Sequence, residues 1–145
     1  MTASTTQIET RFLDVEAKAV DEDTFSLSFS SENPVATRLG DEILSHRKEA
    51  VDLSRLNNGS PFLWNHQVDQ VLGVVESAEI INDRGRAIVR WGTSPEAIAK
   101  RKEVSEGILQ NISVGYQINE TEYQDDGKVL VTRWQPVEVS LVAIP

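Results

Sequence analysis

The chain has 145 residues, 39% of them hydrophobic, which suffices for one domain with its own apolar core. Its 14 Lys and Arg against 23 Asp and Glu give a formal net charge of -9, which disfavours nonspecific attachment to nucleic acid or to an anionic membrane surface. The sequence contains no cysteine, which excludes disulfides, thiolate metal sites and a cysteine nucleophile.

Residues 1–10, "MTASTTQIET", are rich in Ser and Thr and read as a flexible leader, with the ordered domain expected over 11–145. They lack a basic-then-apolar signal pattern, and no run in the chain approaches the roughly 18–20 apolar residues that span a bilayer. A soluble intracellular protein is the expectation. "RFLDVEAKAV" and "TFSLSFSS" both alternate and are separated by "DED", which predicts an antiparallel hairpin. From Glu32 to Ser60, the residues Pro34, Gly40, Asn57, Asn58 and Gly59 break any long period. Within that stretch "EILSH" and "AVDLSRL" are too short to separate helix from strand.

"PFLWNH" is a short apolar run ending on a polar pair, and "VLGVVESAEIIN", "DRG" and "RAIVRWG" predict two strands joined by a turn. "TSPEAIAKRKEVSEG" is the clearest helix in the sequence. Ser94 suits the N-cap, Pro95 the first helical position, Glu96 the positive end of the dipole and Gly107 the stop. "ILQNISVGYQINETEY", "QDDGK" and "VLVTRWQPVEVSLVAIP" predict a further hairpin. Many strands with one capped helix point to an antiparallel sheet or barrel carrying helices. The strand-like ending "VEVSLVAIP" predicts a truncated domain or one segment of a longer protein.

Chemistry concentrates on a few side chains. In "QNISVGYQI", alternation puts Ile112, Val114 and Tyr116 on one face and Ser113, Gly115 and Gln117 on the other. Ser113 therefore either faces water or is a nucleophile on a rigid strand, which would need a base. The histidines are His46 and His66. His66 closes a core strand and is the stronger candidate base, against the plainer role of a hydrogen-bonding residue at a strand end. In "QPVEVSLVAIP", Glu138 shares a face with Ser140 and Val142, opposite Val137, Val139, Leu141 and Ala143. Its carboxylate either orients the His66 ring or is solvated. "HQVD" offers His66 and Asp69 as metal donors, but no HExxH pair or His-rich cluster accompanies them, so no metal is expected. "DRGRAI" and "DDGK" are turn sequences, so no phosphate loop, dinucleotide or other cofactor is expected.

The "WNH" segment with "GVVESA" after it, "GILQNISVGY" and "EVSLV" near the terminal proline closely resemble the prohead (procapsid) maturation proteases of tailed bacteriophages, over residues 11–145. The resemblance implies a serine endopeptidase with a fold similar to herpesvirus assemblin, a mainly β (α+β) antiparallel β-barrel with surrounding helices. Carried over by position, it implies Ser113 as nucleophile, His66 as general base and then acid, and Glu138 as the orienting acidic group. Assemblins place a second histidine where Glu138 stands, and Asp69 competes with Glu138 for that role. Assemblin-type oxyanion donors come largely from a loop beyond the third member, and the sequence ends seven residues after Glu138, so they are expected either beyond Pro145 or disordered until substrate or a partner subunit binds. The implied substrates are phage scaffold and major capsid proteins, and the enzyme's own chain, cleaved inside the assembling prohead in the bacterial cytoplasm. A homodimer or higher assembly is implied, with no direct nucleic-acid or membrane contact. A second reading is a non-catalytic β-barrel module of a phage head or tail.

Overall fold

In a computed structural model of the chain, residues 8–14 and 18–144 are described. The expected leader falls outside them up to residue 7, and from Ile8 the backbone is extended. The strands are β1 (Ile8–Asp14), β2 (Lys18–Ala19), β3 (Thr24–Ser31), β4 (Val35–Thr37), β5 (Gly40–Leu44), β6 (Pro61–Trp64), β7 (Gln67–Ile81), β8 (Arg84–Trp91), β9 (Asn111–Tyr123) and β10 (Val129–Val142), with helix α1 at Pro95–Ser105.

They form one ten-stranded sheet in the order β1-β9-β10-β6-β7-β8-β3-β2, with β5 added along β10 and β4 along β5. β3 also lies against β1 and β9 without a hydrogen-bonded ladder among the described residues. The sheet thus curls into a half-barrel. Two features correct the expected antiparallel barrel with surrounding helices. β10 runs parallel to both β5 and β6, so the sheet is mixed, and α1 is the one α-helix among the described residues.

Local chemistry explains the elements. The Ser94 hydroxyl accepts the Ala97 N–H at 3.2 Å, Pro95 opens α1, and Gly107 ends it at φ 75°, a conformation that glycine adopts without steric penalty. The β9–β10 hairpin turns through Gly127 at φ 86°. β7 and β8 meet through Asn82 and Asp83, with φ 52° and 59° and Ile81 paired to Arg84, the two-residue loop whose twist matches its strands. One expected hairpin forms only beside its turn, where Lys18 and Ala19 pair antiparallel with Ser26 and Phe25 across "DED". β1 pairs with β9, and β3 takes β8 and the short β2 as neighbours.

The core lies inside the curl. Phe25 stacks on Trp91 at 4.9 Å between centroids, and Phe62 meets Trp91 edge-on at 5.5 Å. A second aromatic group joins Tyr116 to Trp134 at 5.7 Å. Phe62 and Trp134 are fully buried. Phe62 and its neighbour Leu63 sit beside Val139 and Ser140 in the parallel β6–β10 ladder, so this core fixes the strands that frame the site.

Candidate active site

β9 lies between β1 and β10, and its register with β10 sets Ser113 opposite Ser140 and Gly115 opposite Glu138. Ser113, Gly115, Glu138 and Ser140 therefore share one sheet face, since alternate residues project the same way. A bulge between Pro136 and Glu138 leaves Val137 out of the ladder, so Glu138 keeps this face while the strand before it changes phase.

His66 reaches that face from a tight turn. Trp64 pairs with Gln67, leaving Asn65 and His66 as a two-residue loop with φ 53° and 60°. Positive φ at both positions defines the hairpin turn that suits strand twist, and Asn and His tolerate it better than most side chains. The turn is anchored to β10 by Asn65 N–H donating to the Leu141 carbonyl at 2.9 Å and by His66 N–H donating to Ser140 Oγ at 3.0 Å.

The three side chains implied by resemblance come together. Ser113 Oγ lies 2.7 Å from His66 Nε2, and His66 Nδ1 is hydrogen-bonded to Glu138 Oε1. One tautomer satisfies both contacts: Nδ1–H donates to the carboxylate, and Nε2 accepts from the serine hydroxyl. The second carboxylate oxygen, Glu138 Oε2, accepts from Ser140 Oγ at 2.7 Å. Sequence reasoning placed Ser140 on Glu138's face but gave it no role; its signal needed the parallel register with β6. Asp69 is not brought into the group. It is exposed on β7, and the ring nitrogen it would have to reach is held by Glu138. Among the described residues, no three His, Asp or Glu side chains group as a metal site would need.

Exposure along the chain of contacts is uneven. The side chains of His66 and Glu138 are 24% and 14% exposed, whereas Ser113 is 0% exposed. The plain expectation of a serine facing water is thus corrected. Residues 112–116 are buried on both faces, because Ile112, Val114 and Tyr116 pack into the core on one side and the His66 turn folds over Ser113 on the other. Beside these three side chains opens a cavity of about 470 Å³, lined by Thr10, Arg55, Pro61, Leu63, His66, Val68, Val137 and Glu138. Its walls are largely aliphatic, and Arg55 is its cation.

Comparisons with known proteins bear on the family and the fold. The family model described as caudovirus prohead serine protease matches residues 7–145. The chain is 38% identical over 126 residues to the major capsid protein of Halomonas phage phiHAP-1, a match covering 81% of this chain and 21% of that protein. It therefore spans about a fifth of that relative's length. The structure of the bacteriophage T4 capsid assembly protease, gp21, superposes with a TM-score of 0.52 at 9% identity, covering 96% of this chain and 97% of that one, a likeness of fold. With nearly its whole length matched by the family model, this chain belongs to the caudovirus prohead serine protease family.

Proposed function

We propose that the protein is a serine endopeptidase with an assemblin-like fold, in which Ser113 is the nucleophile, His66 the general base and acid, and Glu138 the orienting carboxylate. The observation that carries this reading is the continuous run of hydrogen bonds from Ser113 through both ring nitrogens of His66 to Glu138. As Ser113 Oγ attacks the scissile carbonyl carbon, its proton passes to Nε2, and the imidazolium then protonates the departing amine. Water attacks the resulting ester, again through Nε2, and releases the acid and free Ser113. Glu138 favours the charged ring and fixes its tautomer throughout.

The substrates in this reading are scaffold and major capsid segments, together with the enzyme's own chain, cut inside the assembling prohead in the bacterial cytoplasm. The relative's name, major capsid protein, and the small share of it that this chain matches support a protease segment carried next to capsid sequence. Assembly as a dimer or larger oligomer belongs to the same proposal. Because Ser113 is buried, substrate can reach it only after the strand surroundings open.

That burial also favours a second reading, a non-catalytic β module of the phage head, which has no need to expose Ser113. Fluorophosphonate labelling of the full-length, assembled protein separates the two. Covalent mass addition at Ser113, absent from Ser113→Ala, is expected of the enzyme. A folded, assembled protein that takes no label, or takes it elsewhere, belongs to the module.

A further inference from the structure

We propose that Ser140 is a positioning residue that locks the His66–Glu138 pair, an inference that rests on the catalytic reading above. Ser140 is fully buried and makes two contacts at once. Its hydroxyl donates to Glu138 Oε2 at 2.7 Å and accepts the backbone N–H of His66 at 3.0 Å. A hydroxyl has one proton and two lone pairs, so both roles are compatible. One atom therefore ties the carboxylate that orients the ring to the backbone that carries the ring.

The need for such a tie follows from the local geometry. A glutamate's terminal torsion is broad, so a carboxylate held through one oxygen can swing. Occupying Oε2 fixes the carboxylate plane and leaves Oε1 directed at Nδ1. The His66 backbone sits at φ 60°, a region that the chain leaves unless neighbouring contacts hold it. The bond from its N–H to Ser140 is one of those contacts, and without it this donor loses its protein partner. Ser140 also stands opposite Ser113 in the β9–β10 ladder and beside Leu63 in the β10–β6 ladder. It thus refers the base to the strand facing the nucleophile.

The test uses the full-length protein and a fluorophosphonate probe, with labelling of Ser113 as the rate. Ser140→Ala should slow labelling about 10- to 100-fold, the range found when outer partners of metal-bound histidines are removed. Ser140→Thr, which keeps the hydroxyl, should restore most of the rate. On a Glu138→Gln background, Ser140→Ala should add little, because a residue acting through Glu138 has lost its route. A structural role alone predicts additive losses. The second readout is the downfield Nδ1–H proton resonance of His66, which requires no reaction. It should broaden or move upfield in Ser140→Ala and persist in Ser140→Thr. If wild type takes no label but the resonance responds in this way, the catalytic reading fails while Ser140's positioning role stands. Should Ser140→Ala fail to fold, Ser140→Cys carries the test, since a thiol occupies the space while donating weakly. A folded variant lacking the hydroxyl that labels within about twofold of wild type, with the resonance unmoved, overturns the proposal.

Discussion

Two serine–histidine pairs occur among the described residues, and their contrast shows what would set a reactive pair, as proposed for Ser113 and His66, apart from a structural one. Ser30 Oγ lies 2.8 Å from His46 Nε2, almost the spacing of Ser113 to His66. Distance therefore does not distinguish them. What differs is the far side of the ring and access to it. His46 Nδ1 faces the Leu44 carbonyl at 2.8 Å, its ring packs on Trp134 at 5.3 Å, and the residue is 3% exposed. A neutral carbonyl fixes a tautomer but gives an imidazolium far less stabilisation than a carboxylate does. His66 has Glu138 there, borders a cavity and sits on a turn. The first pair closes a core; the second has the partners that the proposed proton transfer needs.

The largest expected effect comes from exchanging the two serines as targets. Ser113→Ala should lower turnover about 10⁶-fold, as loss of a triad nucleophile does, while Ser30→Ala should leave the activity of the folded protein intact. Equal loss in both would dissolve the contrast. The histidines sharpen it through a second observable. His66→Ala should abolish activity with little change in the urea midpoint, because the side chain is partly exposed. His46→Ala should cost about 2–4 kcal/mol of stability through a cavity against Trp134 and two unmade hydrogen bonds. Next come the carboxylates. Glu138→Gln should reduce turnover about 10⁴-fold by favouring the wrong tautomer, whereas Asp69→Asn should leave it unchanged. An Asp69→Asn enzyme as impaired as Glu138→Gln would return the third role to Asp69.

Much of this contrast could be read in the sequence, and the unread part has a common cause. The caps of α1, the β7–β8 and β9–β10 hairpins, and the alternation that sets Ser113 and Glu138 opposite their apolar neighbours all depend on local periodicity or turn chemistry. Those signals survive in a linear chain. The pairing of β1 with β9 instead of β3, and of β10 with β6 and β5 in parallel, depends on contacts between segments far apart in sequence. Alternation in "RFLDVEAKAV" announces a strand but carries no address for its partner. The burial of Ser113 and the contacts of Ser140 follow from those distant pairings, so they were hidden as well. "WNH" did hold a partial signal. Asn65 is a favoured residue for a positive-φ hairpin turn, whereas a histidine beside it gives no such hint.

The smallest expected effect concerns the cavity beside the His66 pair. Pro61, Leu63, Val68 and Val137 give that cavity aliphatic walls, and Arg55 stands exposed at it. Glu138, the cavity's carboxylate, already has both oxygens engaged. On a chain of net charge -9, an acidic substrate segment meets general repulsion, so a local guanidinium would matter more than its exposure suggests. Arg55→Glu should raise KM about three- to tenfold for peptides with an acidic residue near the cut, the scale of a solvent-screened charge pair. It should lower KM for the matching lysine peptides and leave kcat and fluorophosphonate labelling unchanged. The split between KM and kcat is the decisive reading. A fall in kcat for every peptide would mean that Arg55 supports the His66 turn, whereas a charge-dependent shift in KM alone would make the cavity the place where substrate side chains are sorted.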